Sequence, residues 1–270
     1  MKIYLRNFIL IIALFISINT SFAKDIKIIQ VSGVEFSGNN NSIEQLNKLI
    51  KSVNNDSKVD FVVFTGDNIK QSNSELLKAF LKSVNKLKVP YYIEIGDKDC
   101  FKAGGLSKEE YIKIVNKNSK LHLKSFNYTT KKENIVFIFL DGAKEFMPSA
   151  NGYFKNDTIA WLDKKLNKIE KNKKQKVIIF QHFPIIKLNK TSLSNTYNAE
   201  IYEKILSEHK NVLAIFSGHF KTSVETQKDG ILHYITSDAS GANAVYREIY
   251  IIKDKKNNYE IYSIEVPYNK

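Results

Sequence analysis

The sequence has few cysteines and few arginines. The first scarcity excludes intrachain disulfides, and the second argues against a nucleic-acid partner. Cys100 is the single cysteine among 270 residues, so no intrachain disulfide can form. A chain of this length buries a substantial core without disulfides. Arg supplies only two of the 41 basic residues, although nucleic-acid and phosphate-binding proteins usually favour its planar fork. Because no nucleic-acid-binding motif is present either, a nucleic-acid partner is not expected.

The net charge is strongly positive, and almost all of it comes from lysine. The formal charge is +13, and the lysines are spread along the chain rather than clustered. This distribution indicates a solvated basic surface. A weak attraction to an anionic cell-envelope surface is the alternative.

Long apolar runs are absent except at the start of the chain. Lys2 and Arg6 precede an apolar run over Phe8–Ile18, which is too short to span a bilayer, and Ser21–Ala23 is a small-x-small cleavage pattern. Met1–Ala23 therefore predicts a cleaved signal peptide, with an uncleaved N-terminal anchor as the alternative. No cysteine follows the run, which argues against a lipoprotein. The expected location is outside the cytoplasm, either periplasmic or secreted.

Residues 24–270 are expected to form one domain that alternates apolar runs with amphipathic helical patterns. Strands are predicted at Ile26–Val31, Phe61–Phe64, Tyr91–Ile95, Ile135–Leu140, Val177–Phe180, Val212–Phe216, Ile231–Thr236, Tyr246–Ile252 and Tyr259–Val266. Helices are predicted at Ser42–Val53, Ser74–Leu87, Ser107–Val115, Thr158–Ile169 and Asn198–Ser207. The early strand–helix alternation favours parallel pairing, and the late run of strands favours antiparallel pairing. The predicted fold is a layered α/β/β/α sandwich with mixed sheets.

Two helix starts show a capping-box pattern, which predicts where those helices begin. Ser42 with Gln45 is the first, and Ser107 with Glu110 is the second. In the first helix, the buried face is predicted to be Ile43, Leu46, Ile50 and Val53.

Five of the predicted strands end in a short polar cluster. The clusters are Ser32–Glu35, Thr65–Asn68, Gly96–Cys100, Gln181–Pro184 and Ser217–Lys221. In α/β sheets, ligands bind beyond the carboxyl ends of the strands, so we expect the clusters to meet at one edge. Two Asp and two His side chains among them form a ligand set suited to a divalent transition metal.

In order and spacing, these clusters resemble the motifs of the calcineurin-like metallophosphoesterases: Asp-x-His, Gly-Asp, Gly-Asn-His-Asp or Glu, a lone His, and Gly-His-x-His. Phe139–Asp141 and Trp161–Leu166 resemble further features of the family, and the similarity covers roughly Asp25–Val266. Gly66–Asn68 and Val89–Tyr91 look most like secreted members of the purple-acid-phosphatase type. The resemblance implies a two-metal site for phosphoester hydrolysis.

One half of that implied site is nearly complete in this sequence. The family's second metal takes the Asp of Gly-Asp, the Asn of the third motif, the lone His and the first His of the last motif. These positions are Asp67, Asp97, His182 and His219 here. Asp in place of Asn keeps an oxygen ligand, so the resemblance implies one divalent ion, Mn, Fe or Zn.

The other half departs from the family at three positions. The ligands of the first metal correspond to Gly33, Glu35 and Lys221, with Asp67 shared between the two metals. Gly33 has no side chain, and a charged Lys has no lone pair to donate. Only Glu35 and Asp67 could coordinate, so a second metal is not expected. Our hypothesis is that the ammonium of Lys221 sits where the first metal would have been.

The position of the family's general-acid histidine is also changed, to Lys98. A lysine could protonate a leaving group only if burial lowered its pKa, and the neighbouring Asp97 and Asp99 favour its charged form. Lys98 is therefore interpreted as a phosphate-binding cation or an ion-pair partner rather than a catalytic acid. Asn68 is a candidate for orienting a ligand. Cys100 is interpreted as a small packing residue.

The motifs leave two functions open. One is a phosphatase-type phosphoester hydrolase that works with a single metal on a phosphorylated small molecule, with activity below that of the intact family. The other is a catalytically inactive relative that binds a metal, a phosphorylated ligand or an envelope partner. The degenerate motifs favour the second, and the four retained ligands favour the first.

Overall fold

The computed structural model describes residues 25–188, 194–254 and 258–268. The predicted signal segment, Met1–Ala23, lies outside these residues. None of the helices in the described part of the chain has the length and apolar character needed to cross a membrane.

Strands and helices alternate along the first two thirds of the chain, and strands dominate the remainder. The strands are β1 Ile26–Val31, β2 Phe61–Thr65, β3 Tyr91–Glu94, β4 Tyr128–Lys132, β5 Ile135–Leu140, β6 Lys176–Gln181, β7 Val212–Ser217, β8 Val224–Lys228, β9 Ile231–Ile235, β10 Val245–Lys253 and β11 Tyr259–Pro267. The helices are α1 Asn40–Asn54, α2 Ser74–Val84, α3 Lys108–Asn118, α4 Asn156–Glu170 and α5 Ala199–Glu208.

The strands form two mixed sheets. The first has the order β11-β10-β1-β2-β3, with β1, β2 and β3 parallel and β10 antiparallel to both of its neighbours. The second has the order β4-β5-β6-β7-β9-β8, in which β5, β6, β7 and β9 are parallel. The antiparallel strands β4 and β8 form its two edges.

The two sheets pack face to face, and helices cover their outer faces. The layer between the sheets is rich in aromatic rings, such as Phe61 against Phe137 at 5.0 Å and Phe139 against Phe180 at 5.7 Å between centroids. Helices α1, α2 and α3 pack on the first sheet, and α4 and α5 pack on the second. Strands buried on both faces read as continuous apolar runs, which is why the sequence revealed them. The predicted α/β/β/α sandwich is confirmed.

Two edge strands were not predicted, because they bury little apolar surface. In β4 and β8, exposed and partly buried residues replace the buried runs of the central strands. Their sequences, Tyr-Thr-Thr-Lys-Lys and Val-Glu-Thr-Gln-Lys, are those of half-solvated strands. Charged edge strands of this kind discourage pairing with other chains.

The start of α1 differs from the prediction. Asn39 is the N-cap, and its side chain accepts a hydrogen bond from the backbone N–H of Ser42. The helix therefore begins at Asn40, and Ser42 lies in its first turn. The buried face also differs, since Ile43 is 37% exposed, whereas Leu49, which was not predicted to face inward, is fully buried. The second capping box, Ser107 with Glu110, is present as predicted.

Candidate metal centre

The structure brings all five polar clusters together at one edge of the sandwich. The loop after β1 runs beside the loop after β2, because Gly33 N–H donates to Gly66 O (3.1 Å) and Glu35 N–H donates to Asp67 O (2.8 Å). The loop after β7 is joined to the loop after β6 by a 3.0 Å hydrogen bond from Gly218 N–H to the carbonyl of His182. Backbone hydrogen bonds thus fix the relative positions of the loops.

Several site residues adopt a backbone conformation that non-glycine residues rarely use. In the described part of the chain six non-glycine residues have positive φ, and four of them belong to the site. These are Glu35 (φ 45°), Asp67 (φ 52°), His219 (φ 70°) and Lys221 (φ 54°). Such conformations cost about 1–3 kcal/mol each and concentrate at functional sites. The site is therefore organised at the expense of local backbone stability.

Two glycines make room for the site side chains. A Cβ at Gly96 would lie 2.2 Å from Asp67 Oδ1, and a Cβ at Gly66 would lie 2.5 Å from His182 Nδ1. Since carbon atoms cannot approach so closely, any other residue at these positions would displace Asp67 or His182.

Three side chains from three different loops converge at the spacing of metal ligands. Asp97 Oδ1 lies 3.3 Å from His182 Nε2 and 3.2 Å from His219 Nδ1, and these two nitrogens are 3.2 Å apart. Asp67 Oδ1 is 3.6 Å from His182 Nε2. Ligand atoms about 2.0–2.1 Å from a zinc-sized ion are separated by about 3.3 Å in a tetrahedron. The spacing of Asp97, His182 and His219 therefore fits one divalent metal, and Asp67, also predicted as a ligand, lies beside them.

A further contact orients His182. Its Nδ1 lies 2.8 Å from the backbone carbonyl of Thr65, so Nε2 is the atom turned toward Asp97. This is the arrangement usual for metal-ligating histidines. Burial opposes a charge on the ring, but Asp67 and Asp97 raise the pKa of His182 to about 9. Conversely, burial would raise the pKa of Asp97, but its hydrogen bonds to the two histidines hold that pKa well below its ordinary value.

The other half of the site contains two ammonium groups instead of histidines. Lys98 Nζ lies 2.5 Å from Asp67 Oδ2 and 2.8 Å from Glu35 Oε1. Lys221 Nζ lies 2.5 Å from the same oxygen of Glu35 and 3.0 Å from Asp238 Oδ2. A set of ammonium groups already paired with carboxylates does not fit a metal ion. Asp67 belongs to both halves, with Oδ1 toward the histidines and Oδ2 toward Lys98.

The partners of Lys98 differ from those expected from the sequence. Neighbours in sequence, Asp97 and Asp99, were expected to hold its charge, but Asp67 and Glu35 do so. Burial opposes the charge, yet these two carboxylates raise the pKa of Lys98 above its ordinary value. A lysine in that state does not act as a general acid near neutral pH. The structure thus supports the interpretation of Lys98 as an ion-pair partner.

Asp99 and Asn68 lie behind the site rather than in its open part. Asp99 is fully buried and accepts hydrogen bonds from the backbone N–H groups of Asn68, Ile69 and Gly96. Burial and the charge of Asp67 raise its pKa to about 7, although the N–H donors oppose this. Asn68, also fully buried, donates from its side-chain amide to the carbonyl of Glu94 at 2.7 Å. Both residues therefore brace the loops of the site.

The remaining residues considered from the sequence lie away from the open site. Cys100 is buried, and burial raises the pKa of its thiol well above the ordinary value, which agrees with a packing role. His122 is exposed, and His209 contacts Asp163 and Glu170 near the end of α5. His233 is buried in β9.

Asp238 is the site residue that the sequence did not reveal. It follows β9, pairs by a backbone bridge with Ser32, and reaches Lys221 in the first half of the site. The sequence did contain a sign of this residue, since the polar cluster Thr236–Asp238 follows a parallel strand, as the other five polar clusters do. The family pattern has no motif there, so the rule of strand ends was not extended to β9.

Two cavities border the loop that carries Asp97 and Lys98. One, of about 460 Å³, is lined by Leu188, Phe220 and three of the metal-ligand candidates, Asp67, Asp97 and His219. The second, of about 510 Å³, is lined by Phe101, Pro148 and residues 70–73. Asp97 and Lys98 line both cavities. The two cavities therefore meet at Asp97 and Lys98, and each is also lined by an apolar side chain.

Comparison with known proteins identifies the class to which this fold and site belong. Residues 27–221 match the family model of the calcineurin-like phosphoesterases. The chain belongs to this family, and its recognition from the strand-end motifs is confirmed.

Individual relatives agree with the family assignment. A probable glycerophosphodiester phosphodiesterase of Arcobacter nitrofigilis is 29% identical over 167 residues, which is 60% of this chain and 56% of that protein. The match thus spans little more than half of that relative. A probable cyclic nucleotide phosphodiesterase of Fibrobacter succinogenes is 22% identical over 79% of both chains. The structure resembles a dimetal phosphatase of Danio rerio, with a TM-score of 0.68 at 14% identity, over 90% of this chain and 99% of that one.

Proposed function

We propose that this protein is a phosphodiester hydrolase that uses one divalent metal. The observation that carries the proposal is the convergence of Asp97, His182 and His219, with Asp67 beside them, at the spacing of metal ligands. A metal bound there would polarise a phosphoryl oxygen and lower the pKa of water. The chain itself contributes the orientation of His182 through Thr65 and two fixed ammonium groups beside the metal position.

The charge of the site favours a diester over a monoester. Four carboxylates and two ammonium groups converge there. Their formal charge of two minus would be neutralised by one divalent ion. The metal-loaded site is then formally neutral, so every charge that a substrate brings is uncompensated, and a phosphodiester brings one negative charge where a phosphomonoester brings nearly two at neutral pH. We therefore expect the monoanionic substrate to bind better.

The two cavities and the two relatives also favour a phosphodiester substrate. A phosphodiester has two ester groups, and the two cavities beside Lys98 could each receive one of them. The two relatives are named as probable phosphodiesterases. Their substrates differ from each other, so the similarity supports the diester class and does not identify a substrate.

The state of Lys98 restricts the leaving group. Because Asp67 and Glu35 keep it protonated, it can neutralise charge near the leaving oxygen but does not give up its proton readily. Hydrolysis should therefore depend strongly on leaving-group acidity, with aryl esters cleaved much faster than alkyl esters.

A second candidate function is metal-dependent binding without turnover. The observation in its favour is the ionic half of the site, which lacks room for the family's first metal and has no general acid. In this case the retained ligands would hold a metal, and the cavities a phosphorylated ligand. An envelope partner is the alternative ligand for this binding function.

The experiment compares metal content and turnover in the same preparations. The chain is loaded separately with Mn, Fe or Zn, bound metal is measured by elemental analysis, and bis(p-nitrophenyl) phosphate is compared with p-nitrophenyl phosphate. We expect one metal per chain and a higher kcat/KM for the diester. His182→Ala should abolish metal binding and turnover. His122→Ala, which changes a surface histidine, should leave both unchanged. Bound metal without turnover on either ester would support the binding function instead.

We also propose that the protein is exported, on the basis of the Met1–Ala23 pattern. Expression in a bacterial host followed by intact-mass measurement of the extracytoplasmic fraction tests this. Export predicts a chain that begins at Lys24. A full-length chain confined to the cytoplasm would contradict it.

A further inference from the structure

The carboxylate of Asp238 occupies the space beside Gly33. A Cβ placed on Gly33 would lie 2.4 Å from Asp238 Oδ1 and 2.6 Å from its Cγ. In the family motif an aspartate side chain would start from that Cβ. Asp238 therefore brings a carboxylate, from the opposite sheet, to the place where the sequence motif has lost one.

Asp238 is the end of a continuous series of ion pairs. Lys221 lies between Asp238 and Glu35, and Lys98 lies between Glu35 and Asp67, with all four N–O distances between 2.5 and 3.0 Å. The carboxylates are well shielded from solvent: the side chains of Asp67, Asp238 and Glu35 are only 5%, 13% and 17% exposed. Such buried carboxylates need cations nearby, which a metal provides elsewhere in the family.

The lysine predicted to occupy the metal position is only one of two. Lys221 joins Glu35 to Asp238, but it does not bridge Glu35 and the shared Asp67. The ammonium of Lys98 does that. The replacement thus involves two ammonium groups and a carboxylate outside the family motifs.

We propose that Asp238, Lys221, Glu35 and Lys98 form a fixed ionic series that takes the place of the first metal ion, with Asp238 as the positioning residue that holds Lys221. The series explains how the metal ligands were lost without leaving unpaired buried carboxylates. The proposal concerns metal number and lysine position, so it stands even if the protein proves not to hydrolyse phosphodiesters.

The first test removes the ammonium groups and counts metal ions. The wild-type chain should bind one Mn²⁺ per chain at saturation. The double variant Lys98→Met with Lys221→Met leaves three adjacent carboxylates, a set of oxygen ligands that Mn²⁺ accepts, and should bind two. Adding Asp238→Asn should return the count toward one. The matched control is Lys78→Met with Lys228→Met, which breaks two lysine–glutamate pairs outside the site and should leave one metal.

Two results of this test would overturn the proposal. Two ions bound to the wild-type chain would overturn the proposal, because the lysines would then not replace a metal. A folded double variant that still binds one ion would also overturn it, since removal of the ammonium groups would not have opened a site. Circular dichroism establishes that each variant is folded.

The second test does not require the double variant to fold. Brief acylation with acetic anhydride, read by peptide mass spectrometry, measures the reactivity of individual lysines. Burial opposes its charge, but Glu35 and Asp238 raise the pKa of Lys221, so the pair should slow its acylation. Because Asp238→Asn removes the ion pair that holds the ammonium of Lys221, it should increase labelling of Lys221 severalfold, with Lys228 unaffected. Unchanged labelling of Lys221 would show that Asp238 does not hold it.

Discussion

The two halves of the site share one aspartate but solve the problem of buried charge differently. In the half containing Asp97, two histidines converge on one carboxylate oxygen at distances that suit a metal. In the half containing Glu35, two lysines bring their own charges and pair with carboxylates directly. The first half offers ligands for an external cation, whereas the charges of the second are paired within the chain.

The two halves are nevertheless linked through Asp67. Asp67 has one oxygen in each half, so the ionic half still holds the shared ligand of the metal half in place. If the lysines had not replaced the first metal, Asp67 and Glu35 would face each other as uncompensated charges. The ionic half therefore has a structural role whether or not it takes part in catalysis.

The largest expected effect comes from removing a ligand of the metal half. His182→Ala removes a nitrogen ligand and should weaken metal binding by at least about 100-fold, since changes even outside the direct ligands cost 10–100-fold. Isothermal titration with Mn²⁺ or Zn²⁺ measures this. Lys221→Met, in the ionic half, should leave the affinity of the metal half within a few fold. Equal losses in the two variants would contradict the division of the site into two halves.

A smaller effect is expected from Gly96→Ala, which acts on the shared residue. The added methyl group would meet Asp67 Oδ1 and the ring of His182, so both must move. We expect a loss of about 1–3 kcal/mol in the free energy of unfolding, the usual range for overpacking, together with weaker metal binding. Urea unfolding and metal titration measure the two effects.

Gly230→Ala is the control for Gly96→Ala. Gly230 has φ +82° and no atom within 4 Å of the position of a Cβ, so alanine there introduces backbone strain without steric contact. It should lower stability by about 1 kcal/mol and leave metal binding unchanged. If Gly96→Ala bound metal as well as Gly230→Ala does, Asp67 and His182 would not be held as tightly as the structure indicates.

The pH dependence of stability tests the ionic half. Burial would raise the pKa of Glu35, but hydrogen bonds from Lys221 and Lys98 lower it below its ordinary 4.5. A carboxyl with a lowered folded pKa stabilises the fold above its unfolded pKa, and that contribution is lost as the pH falls through the lower value. Glu35→Gln should therefore reduce stability near neutral pH and should differ less from wild type below about pH 4.

Urea unfolding at several pH values measures this, and the expected difference is below about 1 kcal/mol because Lys221, one of the two partners of Glu35, is largely exposed. Glu75→Gln is the control, since Glu75 also has a lowered pKa but is paired with Lys78 on an exposed helix surface. It should show almost no effect. A difference between Glu35→Gln and wild type that is constant with pH would contradict the ionic series.

The sequence predicted the central strands and the meeting of the strand-end loops well, for one physical reason. Strands buried on both faces need continuous apolar runs, and the chain changes abruptly to polar residues where such strands end. That change marked the loops that carry Asp67, Asp97, His182 and His219. The edge strands β4 and β8 were missed, because half-solvated strands contain the same polar residues as loops.

The ionic half could be predicted only in part, because its pairing depends on contacts between distant segments. The sequence identified Glu35, Lys98 and Lys221 as replacements, but proximity in sequence suggested Asp97 and Asp99 as partners of Lys98. The partner that holds Lys221 is Asp238, 17 positions further along the chain, beyond the hairpin of β8 and β9. No local pattern specifies which carboxylate a long, flexible lysine reaches, so that pairing required the three-dimensional structure.

The smallest expected effect concerns the walls of the two cavities, which extend the comparison beyond the charged groups. Phe101 lines one of the two cavities that border Lys98, and Leu188 lines the other cavity. If each cavity receives one ester group, Phe101→Ala and Leu188→Ala should each raise the KM for bis(p-nitrophenyl) phosphate by about three- to tenfold, through loss of part of an apolar contact. Metal content should not change.

For p-nitrophenyl phosphate, which has a single ester group, only one of the two variants should have an effect, because one cavity would be empty. Equal effects of both variants on both substrates would contradict the assignment of one ester group to each cavity.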